Sequence, residues 1–169
     1  MLDYVQKKHA IIGLGRHMPK PIPKIPSESV EQLKLVNLLR WQYPDVLFHS
    51  IPNGAKVHPA TAARLKAEGM TAGVSDLFFA EPRGKYHGLY LEMKRKKGNS
   101  MSPKQHEWFA QASVRGYAVA CGKGFEKALK LIEDYLAGRH DAFEATQEKY
   151  RNTWRTIAQP REVLSLIHI

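Results

Sequence analysis

Apolar side chains recur along the chain with two different periods, which predict an alternation of helices and strands. Helical spacing is present from Ser29 to Trp41, at 104–115 and at Phe125–Leu136. Apolar runs at 46–51, 77–80, 89–91 and 117–121 have the length of strands, and a short helix is predicted at 61–68. The expected order is therefore helix, strand, short helix, strand, strand, helix, strand, helix.

Capping and turn residues mark the ends of these elements. Ser29 with Gln32 matches a capping box, so the first helix is expected to begin near Ser27 or Ser29. Ser102 followed by Pro103 is typical of another helix start. Glycines at positions 69, 116 and 138 stand where helices are expected to end.

The runs L-F-F-A and L-Y-L are apolar on both faces, which is typical of buried central strands. A turn around Arg83-Gly84 joins them, so they are expected to pair as a hairpin. The strand at 117–121 follows a helix and should run parallel to the strand before that helix. These features predict an α/β domain whose mixed central β-sheet is flanked by helices.

Three regions differ in composition. Residues 18–26 carry four prolines at near-alternate positions and are expected to be an extended spacer, which closes a basic N-terminal arm at 1–26. Residues 27–138 hold the predicted helices and strands. Residues 139–169 form a C-terminal extension with weak periodicity, to which the sequence assigns no chemistry.

The strongest candidate chemistry lies at the ends of the two central strands. Alternation places Glu92 and Lys94 on one face of a strand and Met93 on the other, and a hairpin would bring Asp76 close to Glu92. Two carboxylates with a lysine suit a hard divalent cation and phosphodiester hydrolysis. The alternative is structural: Asp76 could be a turn residue, and Glu92 and Lys94 could be solvated residues of a half-exposed strand or take part in a weak cross-strand ion pair. Charges at the end of a buried strand are costly unless they are paired or used, which favours the functional interpretation.

The net charge of +10 indicates a polyanionic partner, of which nucleic acid is the commonest. A basic run, Lys94 to Lys97, directly follows the candidate site. No apolar run reaches the length of a membrane helix, no signal peptide is recognised, and the single cysteine, Cys121, fits a reducing compartment. The chain is therefore expected in the cytoplasm of a bacterial or phage-infected cell, or otherwise inside a cell, without a membrane partner.

These pieces together resemble the PD-(D/E)xK nuclease superfamily and, more specifically, the VRR-NUC family in its stand-alone form. The resemblance rests on Glu31 in the first helix, P-N-G at 52–54, G-V-S-D at 73–76, L-E-M-K at 91–94, S-P-K-Q-H-E-W at 102–108 and G-Y-A-V-A-C at 116–121. It covers about residues 28–137 and implies a restriction-endonuclease-like core of order αβββαβ. Ser75 stands where the superfamily name has proline before the aspartate.

The resemblance also implies roles. Asp76, Glu92 and the backbone carbonyl of Met93 would bind Mg²⁺ or Mn²⁺, and Glu31 would reach the metal directly or through water. Lys94 would position or activate the attacking water, and Gln105 would hydrogen-bond Lys94 or a water. Two of these roles have local alternatives, because Gln105 completes a capping box with Ser102 and Glu31 suits the first turn of a helix.

The implied function is a metal-dependent, structure-selective DNA endonuclease acting at branched DNA such as four-way (Holliday) junctions, in DNA repair, as a homodimer and without a small-molecule cofactor. Asn53, Arg95, Lys96 and Lys97 are expected to contact DNA. Trp108 is expected in the core rather than as a platform for bases. The alternative function is a non-catalytic module that binds nucleic acid by shape and charge.

Overall fold

The computed structural model describes residues 26–52, 58–98 and 100–157 of the 169-residue chain. The N-terminal arm with most of its proline-rich spacer, Asn53 with its glycine turn, and the end of the C-terminal extension lie outside the described residues. Within them the elements are α1 Glu28–Gln42, β1 Phe48–Ser50, α2 Pro59–Ala67, β2 Leu77–Phe79, β3 Leu89–Lys94, α3 Pro103–Val114, β4 Ala118–Lys123, α4 Phe125–Leu136 and α5 Asp141–Ile157.

The strands form a mixed sheet in the order β1-β2-β3-β4. Strand β2 is antiparallel to both of its neighbours, and β3 runs parallel to β4 across the α3 crossover. Both the predicted hairpin and the predicted parallel strand are confirmed. The sheet is flanked by helices, so the predicted α/β class is confirmed as well.

Apolar side chains pack on both faces of this sheet. One cluster joins Leu35 and Leu39 of α1 and Ile132 of α4 to alternate residues of the strands, among them Leu91 and Met93. A second, smaller cluster on the other face joins Phe109 of α3, Val119 of β4 and Tyr150 of α5. The catalytic candidates lie on the second face, which is only partly covered.

Two local predictions were incomplete. The N-cap of α1 is Ser27, whose Oγ accepts a hydrogen bond from the Val30 N–H at 3.3 Å, so the capping box expected at Ser29 does not form. The earlier start places Glu28 and Glu31 in the first turn, where acidic side chains complement the helix dipole. No helix was predicted in the C-terminal extension, but α5 lies there and packs on α3 and β4 through its large apolar side chains, among them the buried Tyr150 and the half-buried Trp154.

Among the residues that the structure describes, no helix is long and apolar enough to span a membrane.

Candidate active site at the ends of the central strands

Asp76 and Glu92 lie at adjacent strand ends. Leu77 pairs with Leu91, and Asp76 directly precedes β2. The backbone N–H of Met93 donates to Asp76 Oδ2 at 2.7 Å. The aspartate side chain thus takes the place of a backbone acceptor just before the start of β2. The proximity of the two carboxylates that the hairpin predicted is therefore present in the fold.

Strand alternation separates Met93 from its two neighbours. Met93 is fully buried in the cluster beneath the sheet, while Glu92 and Lys94 point to the opposite face. Lys94 Nζ donates to Glu92 Oε1. Both residues are buried, with 1% exposure for Glu92 and 7% for Lys94, so this ion pair is shielded from water. The pair thus fits the structural alternative as well as the catalytic one.

Gln105 joins the site from α3. Its side-chain oxygen accepts a hydrogen bond from the Ser102 N–H at 2.8 Å, and its own N–H donates to Ser102 Oγ at 3.3 Å. Its side-chain nitrogen donates to Glu92 Oε1. The helix cap and the contact with the site, which the sequence presented as alternatives, are both made. Because the cap occupies the amide oxygen, it orients the amide nitrogen towards Glu92.

A close approach of backbone segments sets the position of α3. Gly73, three residues before Asp76, has φ +94°, and a β-carbon on it would lie 2.5 Å from the Lys104 carbonyl oxygen. Neither the conformation nor the space admits a larger residue. Glycine therefore lets the loop before β2 contact the first turn of α3, which brings Gln105 to the two carboxylates.

Burial raises the pKa of both carboxylates, and like charge adds to the increase at Glu92 alone. Burial, reinforced by the charge of Asp76, raises the pKa of Glu92 to about 7 despite the hydrogen bond from Lys94. Burial also raises the pKa of Asp76 above its ordinary value, against the Met93 N–H and the Lys94 charge. Burial alone would lower the pKa of Lys94, but the bond to Glu92 and the surrounding carboxylates outweigh it, and that pKa is raised. Lys94 is therefore an ammonium at neutral pH.

The first turn of α1 brings two acidic residues towards the ends of β3 and β4. Glu31 is 5% exposed, and its Oε2, which has no hydrogen-bond partner among the described residues, lies beside Gly124 after β4. The negative charge that raises the pKa values of Glu92 and Lys94 from this helix is that of Glu28. Glu28 was not predicted, although its position one turn before Glu31 was a sufficient reason to consider it.

The donor atoms fit a hard divalent cation bound by a few protein ligands. In the described ranges, no three His, Cys, Asp or Glu side chains form a metal-binding cluster, so Asp76 and Glu92 are the available carboxylate pair. Glu92 Oε2 is buried without a hydrogen-bond partner there. The Met93 carbonyl faces the same side as its N–H, towards Asp76. Magnesium is commonly bound by one or two carboxylates, with water and phosphate completing its shell.

Positive charge surrounds the site at the surface. Arg95, Lys96 and Lys97 are exposed directly after β3, and Lys96 Nζ lies 3.6 Å from Glu126. Lys123 was not predicted; it is exposed and is the register partner of Lys94 on β4. The predicted parallel pairing of these two strands was sufficient to place Lys123 beside Lys94.

Comparison with protein families and solved structures agrees with this geometry. The model of the VRR-NUC domain family matches residues 27–126. A solved structure described as a VRR_NUC domain protein has 26% sequence identity and a TM-score of 0.57 over 68% of this chain and 91% of its own. A second, described as a VRR_NUC domain, has 22% identity and a TM-score of 0.44 over 64% of this chain and 98% of its own. Comparison with curated proteins gives no match.

The family model spans more than half of the chain, over the same strands and helices that carry Asp76, Glu92, Lys94 and Gln105. The chain therefore belongs to the VRR-NUC family, whose domain is a nuclease domain.

Proposed function

We propose that this protein is a Mg²⁺- or Mn²⁺-dependent endonuclease that hydrolyses phosphodiester bonds of branched DNA. The observation that carries the proposal is the convergence of Asp76, Glu92, Lys94 and Gln105 at one end of the central strands. The carboxylate pair lies beside an exposed basic run. Carboxylates repel phosphate unless a cation lies between them, so this pairing of charges favours a metal-dependent enzyme over a module that only binds.

Asp76, Glu92 and the Met93 carbonyl would hold the metal, with Glu31 or Glu28 of α1 as a further acidic group. The bound ion would supply charge stabilisation at the phosphate and a more acidic water. Lys94 holds Glu92 and, as an ammonium, can donate to the attacking water or to a phosphate oxygen. Gln105 fixes the Glu92 carboxylate in place through a side chain that its own cap has already ordered.

Two further parts of the proposal concern the substrate and the assembly. Arg95, Lys96 and Lys97, with Asn53, are proposed to contact the DNA backbone, since a duplex near the two carboxylates would pass the end of β3. Branched DNA such as a four-way junction needs two matched cuts, which a homodimer with two sites can make. Support for a dimer comes from the α1 patch, defined as Val30, Leu33, Trp41 and Leu47, which are 45%, 61%, 80% and 65% exposed.

The decisive experiment is cleavage by the purified protein of a labelled panel comprising linear duplex, single strand, flap and four-way junction. Cleavage is expected with added Mg²⁺ or Mn²⁺ and is expected to be lost in chelator. The rate should be highest on a branched substrate. Binding of all four substrates without cleavage in any metal would instead favour the non-catalytic module.

A further inference from the structure

The sheet face that carries Glu92 and Lys94 also carries a row of aromatic side chains. Tyr90 lies on this face two residues before Glu92, a separation of about 7 Å along a strand. Phe78, its register partner on β2, stands on the same face two residues after Asp76. The ring centroids of Phe78 and Tyr90 are 4.6 Å apart. The aromatic row therefore begins where the candidate active site ends.

Two more rings extend the row towards α3. The ring centroids of Trp108 and Tyr117 lie 5.5 and 5.4 Å from that of Tyr90, both in edge-on arrangements. Trp108 was predicted to belong to the core, but it is half-buried, as are Tyr90 and Tyr117. Together these rings border a cavity of about 150 Å³, whose lining is completed by Gln111, Ala112 and Arg115.

Two further hollows lie beside this cavity along α3. A neighbouring hollow of about 230 Å³ shares Trp108 and Gln111 with it and extends to Thr71, Ala72 and Lys104. The next hollow, about 330 Å³, shares Thr71 and Lys104 and reaches Gln105, whose amide contacts Glu92. We refer to the three adjoining hollows, which follow α3 from Gln105 to Arg115, as the trough.

The charge of the side chains that line the trough changes along its length. Cationic side chains stand at its two ends, Lys104 near the site and the exposed Arg115 beyond the aromatic cavity. Glu107 lies between them, where a phosphate would be repelled. The indole N–H of Trp108 has no hydrogen-bond acceptor among the described residues. A ligand with phosphates at its ends and a flat aromatic group between them fits this order.

We propose that the cavity formed by Tyr90, Trp108, Tyr117, Gln111 and Arg115 binds one unpaired nucleobase of the strand that is cut. The inference rests on the proposed function and adds a requirement on the substrate. A base held in a duplex is stacked and paired, so it cannot enter this cavity. An unpaired base can stack on aromatic side chains without regard to sequence. Tyr90 is about 7 Å from Glu92 along β3, so the cavity lies close to the proposed cleavage site.

The test measures binding without cleavage, in chelator. The probes are two duplexes that differ at one bulged position, which carries 2-aminopurine in one and an abasic residue in the other. The backbone charge is the same in both, so their difference in affinity reports the base alone. The base-carrying bulge is expected to bind about 5- to 100-fold more tightly, and its 2-aminopurine fluorescence is expected to be quenched on binding. If the wild-type protein bound the two bulges with equal affinity and did not quench 2-aminopurine, the proposal would be overturned without any variant.

Variants then assign the site. Trp108→Leu and Tyr117→Leu are expected to remove the preference for the base-carrying bulge while leaving affinity for the abasic bulge within about twofold. Arg115→Gln, at an exposed position, is expected to weaken binding of both bulges equally. Tyr43→Leu, which removes an aromatic ring on the other side of the sheet, is the matched control and should keep the preference. A preference that survives both Trp108→Leu and Tyr117→Leu would place the base elsewhere and overturn the assignment.

This experiment does not measure cleavage, so it can disprove the base cavity without disproving the nuclease assignment. Equal binding of the two bulges by a protein that cuts DNA with metal would remove the base cavity and leave the nuclease proposal standing.

Discussion

Gln105 and Glu92 are joined by a hydrogen bond whose donor is oriented by the cap of α3. The Gln105 oxygen accepts from the Ser102 N–H, and the nitrogen of the same amide donates to the Glu92 carboxylate. A local feature that stabilises a helix end thus also orders a carboxylate proposed to bind metal. The two roles can be separated, because Ser102 takes part in the cap alone.

Substitutions of Ser102 and Gln105 are expected to have different effects, the first on stability and the second on cleavage. Ser102→Ala should lower the free energy of unfolding by about 1 kcal/mol, the usual cost of a lost N-cap, with cleavage changed little. Gln105→Glu keeps an oxygen for the cap but loses the donor to Glu92 and adds a like charge, so cleavage should fall at least about tenfold. Urea unfolding and initial cleavage rates measure the two effects. Equal loss of cleavage in both variants would mean that Gln105 acts through the helix alone.

The metal ligands are tested by Asp76→Ala and Glu92→Ala. Each removes a carboxylate proposed to bind the ion, so cleavage should be abolished. Each also removes negative charge near phosphate, so DNA binding in chelator should stay the same or become tighter. Gel-shift and cleavage assays on the same substrate measure both quantities. Glu148→Ala, which removes an exposed carboxylate on α5, is the control for cleavage. If both single variants retain cleavage, the assignment of this site is wrong.

Lys94→Ala is expected to lower the cleavage rate by about 10²- to 10⁴-fold, the usual contribution of a positioned acid–base group. Lys94→Arg should recover little of that loss, because the larger, planar guanidinium cannot reproduce the contacts that the compact ammonium makes with Glu92 and a water. The measurement is the single-turnover rate at saturating metal, with Lys85→Ala, exposed at the turn on the opposite end of β2 and β3, as the control. Near-complete recovery with arginine would show that positive charge alone is required at position 94.

How far the sequence predicted this site depends on which contacts are local. Strand alternation and the hairpin were sufficient to place Asp76, Glu92 and Lys94 together, because both depend on short-range geometry. The effect of the Glu28 charge on Glu92 was not predicted, since it depends on how α1 is rotated against the sheet. The start of that helix at Ser27 was left open between two serines that both suit an N-cap.

Two other features were not predicted. Helix α5 was missed although Phe143, Tyr150 and Trp154 recur along it at helical spacing, and the helix packs on α3 and β4. Trp108 packs against the core as predicted, but its partial exposure was not predicted. The spacing of an aromatic residue on a helix does not show how much of the facing sheet the helix covers.

The pKa of Glu92 predicts that the metal-free protein loses stability as pH rises. The pKa is about 7 in the folded protein and 4.5 ordinarily, so between these values the folded state keeps a proton that the unfolded chain has lost. The free energy of unfolding must therefore fall as pH rises through this window, by at most about 3 kcal/mol. Burial shifts Asp76 in the same direction.

Glu92→Gln removes this titration while keeping an oxygen that can accept from Lys94 and Gln105. In chelator, urea unfolding at pH 5 and pH 8 should show a loss of stability at the higher pH in the wild type and a much smaller loss in the variant. Glu107→Gln, at an exposed site, should behave as the wild type does. A wild-type protein that is more stable at pH 8 than at pH 5 would contradict the origin assigned to this pKa.

The last prediction concerns assembly through the α1 patch. Val30, Leu33 and Trp41 fall on one face of α1, and Leu47 follows in the loop before β1. The helical part of the patch extends over about 17 Å, at 1.5 Å per residue. Exposed polar residues share this face, among them Lys34 and Asn37. A twofold interface uses the same surface on both subunits, so the apolar side chains of the patch can be covered by a second copy. A second copy is therefore the proposed occupant, and it also supplies the second site that paired cuts require.

Trp41→Glu together with Leu33→Glu should convert a dimer into a monomer, because two charges would then be buried at the interface. Light scattering at micromolar concentration is expected to give twice the 19.2 kDa chain mass for the wild type and one chain mass for the variant. Lys149→Glu, an equal charge change at an exposed position on α5 and away from the α1 patch, is the matched control and should remain dimeric. On a four-way junction the monomeric variant should accumulate nicked intermediates, because its two cuts would come from separate binding events. A wild type of one-chain mass, with and without junction DNA, would contradict the dimer and favour a nicking role.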